Sequence, residues 1–138
     1  MSNDTPMSFD DIDVSGVAAA PSMDTPPAGS YIVLLSMEQK IVADKRAISA
    51  NCVLEDVIEL GEQHTEKPAN PGQQFNTLYF IDKPERVPYV KRDLAVFFDS
   101  LGTQSVNTMV AGVQNIRCKI ICNYSRDDYF RIQSFEIL

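Results

Sequence analysis

Between Pro88 and Gly102 the chain reads Pro-Tyr-Val-Lys-Arg-Asp-Leu-Ala-Val-Phe-Phe-Asp-Ser-Leu-Gly. Val90, Leu94, Phe97, Phe98 and Leu101 follow one another at spacings of four, three, one and three, which lines them along one face of a helix. Gly102 stands where a helix ends most easily, in the left-handed cap position. This helical period is an interruption, because the segments on either side of it run at period two.

Upstream, residues 31–37 are almost wholly apolar and predict a largely buried strand. Residues 38–47 carry Lys40, Asp44, Lys45 and Arg46 and read as a polar turn. Residues 48–58 then alternate, with Ile48, Ala50, Cys52 and Leu54 on one side and Ser49, Asn51 and Glu55 on the other, the pattern of a half-buried strand. A polar loop with Pro68, Pro71 and Gly72 spans residues 61–73, and a third strand spans 74–81. Downstream of the helix, Ser105 is placed to cap a short turn holding Met109 and Val110 and closed by Gly112. Two strands follow, at residues 113–124 and 129–138, joined by a tight hairpin at 125–128.

The order is three strands, a helix, then two strands. This mainly β arrangement predicts a five-stranded barrel of the oligonucleotide-binding (OB) type, with the helix between strands three and four. The domain is expected at residues 29–138. Residues 1–28 are rich in Ser, Asp, Ala and Pro, offer little to bury, and are expected to form a flexible acidic arm.

Composition removes several function classes. No run of about 18 apolar residues exists, so no membrane-spanning helix is expected, and the acidic start does not read as an export signal. Cys52, Cys118 and Cys122 each sit in a strand-like run; an odd number so placed predicts buried free thiols in a reducing, cytoplasmic compartment. The C-x3-C pair has no further ligands nearby, since the one histidine, His64, lies in a polar loop; neither metal nor other cofactor is expected. Glu55 and Asp56 are adjacent on a strand and face opposite ways, and Asp127-Asp128 belongs to turn chemistry. With no phosphate loop and no nucleophile–base set, an enzyme is not expected.

The net charge of −7 opposes a phosphate-binding surface at first sight. Five of the acids, however, lie in residues 1–30, where there is no Lys or Arg; residues 31–138 hold twelve bases against fourteen acids. A nearly neutral body leaves room for a local basic strip. Single-stranded binding needs cations along phosphates and ring faces under bases. In an OB barrel the ligand crosses strands two and three between the 1–2 and 4–5 loops. Lys40, Lys45 and Arg46 fall in the first of these, Tyr124, Arg126, Tyr129 and Arg131 around the second, and Tyr79 on strand three. Lys83, Arg86, Lys91 and Arg92 form a further basic cluster at the helix start.

From Ala28-Gly29-Ser30-Tyr31-Ile32-Val33, through Leu94-Ala95-Val96-Phe97-Phe98-Asp99-Ser100-Leu101-Gly102, to Asp128-Tyr129-Phe130-Arg131-Ile132, the chain resembles small bacteriophage single-stranded-DNA-binding or recombination-associated proteins of the OB type. Such proteins open a strand with Gly-x-Tyr, carry a helix ending in Leu-Gly, and close with a Tyr-x-x-Ile strand. The likeness spans residues 28–138 and carries over no invariant binding residue. It implies binding of single-stranded DNA without strong sequence preference, in support of phage replication or recombination in the host cytoplasm. The alternative is a phage virion or assembly protein that uses the same barrel for protein contacts. Bacterial single-strand binders end in an acidic tail with an apolar tip; here acidic and apolar residues interleave at the other end, in Phe9, Asp10, Asp11, Ile12 and Asp13. By analogy this arm would recruit replication or recombination proteins, or compete with DNA. The sequence also leaves room for a homo-oligomer.

Overall fold

A computed structural model describes residues 24–138. The chain forms β1 (Gly29–Val42), β2 (Lys45–Leu60), β3 (Gln74–Phe80), a 3-10 turn (Pro84–Arg86), α1 (Val87–Leu101), α2 (Val106–Gly112), β4 (Ile116–Tyr124) and β5 (Phe130–Ile137). All five strands lie in one sheet in the order β3-β2-β1-β4-β5, and every neighbouring pair is antiparallel. No backbone ladder joins β3 to β5 among the described residues, so the sheet is open between them. None of the described helices is long and apolar enough to cross a membrane.

The two central strands are longer than the sequence pattern predicts. The expected polar turn at residues 38–47 shrinks to Ala43 and Asp44, and the residues around it pair as Lys40 with Ala47, Ile41 with Arg46 and Val42 with Lys45. Ala43 and Asp44 both have positive φ, 51° and 64°, the geometry of a two-residue turn whose twist matches that of the strands it joins. Polar residues can extend a ladder as readily as apolar ones once backbone groups are paired, so hydropathy alone ends these strands too early. Strands of 14 and 16 residues coil strongly, and β1 adds register shifts at Ser30/Tyr31 and Ile32/Val33 that bend it further.

Alternation along β1 sends Tyr31, Val33, Leu35 and Met37 into the core, where they meet Ala50, Cys52 and Leu54 of β2 and Cys118, Ile120 and Cys122 of β4. The α1 face read from the sequence closes this core: Leu94, Phe97 and Phe98 are buried, and Val90 and Leu101 pack at its margin. Phe97 is fully buried, with the Phe135 ring 5.0 Å and the Tyr79 ring 6.5 Å away. Ser100 fixes the helix to β5 by donating from Oγ to the Phe135 carbonyl (3.1 Å). Gly102 takes φ +66°, as the cap requires. Ser105 does accept from the Thr108 amide (3.2 Å), but the turn it caps is a complete helix, α2, held by Met109 against the core.

Residues 24–28, expected to belong to the flexible arm, are fixed to the body. Pro26, Pro27 and Ala28 are buried. The Tyr31 hydroxyl donates to the Pro27 carbonyl (2.6 Å), and Gln73 Nε2 to the Asp24 carbonyl (2.7 Å). Buried tyrosine hydroxyls need acceptors, and this strap supplies them. The rest of the expected arm, including Phe9–Asp13, lies outside the described residues.

Two expected outcomes follow from this core. Phe97→Ala should cost about 3–5 kcal/mol in urea unfolding, because it removes a fully enclosed ring; a cost below 1 kcal/mol would show that α1 is not the lid of the core. Burial also pushes the Cys118 and Cys122 thiols up from 9.0 to about 12. In the unfolded chain these thiols ionise first as pH rises, so the stability they contribute is complete below pH 9 and is lost between pH 9 and 12. The urea midpoint should fall across that window, and Cys118→Ala with Cys122→Ala should flatten the fall.

Candidate nucleic-acid interface

The open side of the sheet is where the chemistry gathers. Register with β2 turns Phe75, Thr77 and Tyr79 toward Cys52, Ala50 and Ile48, into the core, and sets Asn76, Leu78 and Phe80 on the outer face. The bent sheet brings the edge of β3 to the edge of β5: Thr77 Oγ1 donates to the Phe130 carbonyl (3.2 Å), and the Phe75 and Phe130 rings meet edge to face at 5.6 Å. Along this seam runs a groove of about 750 Å³. Residues 76–80 form one wall, Ser125 and residues 129–131 with Gln133 the other, and Arg92, Asp93 and Val96 of α1 close the end.

The groove offers both kinds of surface that a nucleic-acid strand uses. Tyr129 is 71% exposed and lines it. Arg131 on β5 and Arg92 on α1 bring guanidinium groups; Arg92 also lies 5.7 Å from the Tyr89 ring centroid. Phe80 lines the same wall, with the Lys45 ammonium 6.0 Å from its centroid. Beside it, on the outer face, hydrogen bonds run from Asn76 Nδ2 to Ser49 Oγ (3.3 Å), Ser49 Oγ to Asn51 Oδ1 (2.6 Å) and Asn51 Nδ2 to Glu38 Oε2 (2.9 Å). A polar row thus crosses three strands on that face.

The eight residues singled out from the sequence do not all converge. Tyr129, Arg131 and Tyr79 line the groove, and Lys45 reaches it through Phe80. Lys40 shares a sheet face with Lys45, whereas Arg46 pairs with Ile41 on the opposite face, so the three cations at the first hairpin do not form one cluster. Arg126 is exposed in the second hairpin but outside the groove wall.

Two tyrosines differ from the expected stacking platforms. Tyr79 is 8% exposed, because its position on β3 alternates inward, although it is one of the residues that line the groove. Tyr124 is buried beneath the strap: its hydroxyl donates to the Pro26 carbonyl (2.7 Å) and pairs with the Thr25 hydroxyl (2.8 Å). Arg92 and Phe80, by contrast, belong to the groove; the pairing of β3 and the helix start that place them there could be read from the sequence only as a basic cluster and an aromatic run.

His64 is not the isolated loop residue that its neighbours imply. Its ring lies 4.1 Å from the Tyr124 ring, with Nε2 3.1 Å from Asp128 Oδ1 and Nδ1 3.4 Å from Glu66 Oε1. Both nitrogens therefore face carboxylates, and the imidazole ties the 61–73 loop to the β4–β5 hairpin. Among the described residues, no group of three His, Cys, Asp or Glu side chains is placed to hold a metal ion.

The strap is testable without any ligand. Tyr124→Phe keeps the ring contacts and removes the hydroxyl, so it should lower stability by about 1 kcal/mol in urea unfolding. An unchanged midpoint would mean that the bonds of the Tyr124 hydroxyl to Thr25 and Pro26 contribute nothing to the fold.

No family model, curated protein or solved structure matches this chain, so its fold and groove stand on their own geometry.

Proposed function

We propose that the domain binds single-stranded DNA, without strong sequence preference, along the groove between β3 and β5. The observation that carries this reading is the meeting there of an exposed ring, Tyr129, with two guanidinium groups, Arg131 on the edge strand β5 and Arg92 on α1. Base–ring stacking contributes about 1–3 kcal/mol per base, and the cations follow phosphates. The antiparallel order β3-β2-β1-β4-β5, with β3 and β5 in side-chain contact, supports a partly open OB barrel, in which a ligand crosses beside strand three. The overall negative charge is no obstacle, since much of the acid excess precedes residue 31.

The biological setting follows the resemblance: replication or recombination of a bacteriophage in the host cytoplasm. There Phe9–Asp13 would recruit partner proteins or compete with DNA for the groove. A second reading is a virion or assembly component that meets proteins. It draws on Ile41, 71% exposed at the first hairpin, and on the small apolar hollow of Ile81, Val87, Val90, Leu94, Phe98 and Val106.

Fluorescence anisotropy with labelled oligo-dT separates the two. With Lys45, Arg92 and Arg131 on phosphates, affinity should fall roughly twentyfold between 50 and 200 mM salt. Tyr129→Ala should weaken binding by about 1–3 kcal/mol with little change in that salt dependence. Removal of residues 1–23, which leaves the strap in place, should tighten binding at low salt. Absence of binding at low salt would transfer the assignment to the protein-docking reading.

A further inference from the structure

Where β3 gives way to α1, the molecule carries two adjoining hollows that share no residue with the β3–β5 groove. The first, of about 210 Å³, has buried Leu94 and Phe98 as its floor, with half-buried Ile81, Val90 and Val106 around them. The second, of about 190 Å³, is lined by the first hairpin, Ile41 included, and meets the first at Ile81. Apolar surface is left to water here: Val87 is 48% and Ile41 71% exposed. Three cations line the pair, Lys91 in the first hollow and Lys40 and Arg46 in the second. None of the three makes an ion pair among the described residues. No described carboxylate lines either hollow, whereas the β3–β5 groove contains Asp93. Uncovered apolar side chains among unpaired cations suit a ligand in which apolar residues are interleaved with carboxylates.

The chain itself contains such a ligand. Phe9-Asp10-Asp11-Ile12-Asp13-Val14 interleaves three apolar residues with three carboxylates. Its tether is fixed within reach. Gln73 Nε2 holds the Asp24 carbonyl at 2.7 Å, and β3 leads from Gln73 to Ile81, a distance of about 26 Å at the usual strand rise. Residues 15–23 can span about 30 Å when extended. We propose that residues 9–14 occupy these hollows of their own chain, with Phe9 and Ile12 on the apolar floor and the three aspartates toward Lys91, Lys40 and Arg46. Tethering raises the local concentration of the segment to about the millimolar range, so a contact too weak to hold a free peptide is well populated within the chain. The seat lies apart from the groove, and the inference stands whether or not the groove takes DNA.

A nitroxide attached at Ser8→Cys in the full chain, read in methyl spectra, tests this seat. Cys52, Cys118 and Cys122 are buried, so the new thiol takes the label. The methyl signals of Ile81, Val87, Val90 and Val106 should broaden. Ile58 and Ile121, near the Gly29 end of the sheet, should keep their intensity. Phe9→Ser with Ile12→Ser, added to the labelled chain, should restore the broadened signals. Equal broadening at all of these methyls overturns the inference, as does broadening that survives Phe9→Ser with Ile12→Ser, or broadening centred on Leu78 and Val96 in the groove. A mixture of nitroxide-bearing chain with isotope-labelled chain lacking the nitroxide separates the remaining occupant. No signal should broaden there; broadening at Val87 and Val90 in the mixture would give the seat to the segment of a second copy and overturn docking within one chain.

Discussion

The structure depends on what happens at the two free edges of its sheet. A strand edge is a row of unpaired backbone groups that must be covered, shielded or matched. Here the long, bulged β1 and β2 coil until β3 and β5 stand side by side, and a side chain, Thr77, bridges to the Phe130 carbonyl where a backbone ladder is missing. That arrangement encloses the apolar face around Tyr31, Leu35 and Phe97, and leaves α1 to close the remaining side. The incomplete closure also creates the groove. Continuous pairing of β3 with β5 would have left no space between Tyr79 and Arg131.

The distribution of polarity around this seam divides labour between structure and recognition. Several buried polar groups are matched: Tyr31 and Tyr124 bond the strap, Gln73 holds Asp24, and Ser49 sits in a chain of polar side chains that crosses three strands. The strap and the His64–Asp128 contact brace the same end of the sheet, so the β4–β5 hairpin that carries Tyr129 is anchored from behind. The Tyr79 hydroxyl, Asn123 Oδ1 and Arg131 Nε are buried without a hydrogen-bond partner among the described residues. Tyr79 and Arg131 both line the seam between β3 and β5, and fold and proposed recognition meet there.

Much of the architecture was legible in the residues, and the failures have physical causes. The α1 face could be read because its apolar residues repeat at helical spacing over four turns, between segments of period two. The ends of β1 and β2 could not, because Glu38, Lys40, Lys45 and Arg46 extend the ladder through backbone bonds that hydropathy does not register, and the Ala43-Asp44 turn lacks the usual glycine. Tyrosine was the most ambiguous residue, since it serves core and surface equally well. Alternation from the observed register turns Tyr79 inward, the strap covers Tyr124, and Tyr129 remains exposed. The cations at the first hairpin separated for a similar reason: adjacent residues Lys45 and Arg46 take opposite faces once paired.

The central claim is that a strand of DNA occupies the seam between β3 and β5. Amide chemical shifts, followed while a short oligo-dT is titrated into labelled protein, locate the ligand directly. The account predicts that the largest changes fall on residues 76–80, 92–93 and 129–133, on both walls together. Changes confined to the hairpin around Ala43, or to the apolar hollow between α1 and α2, would contradict it.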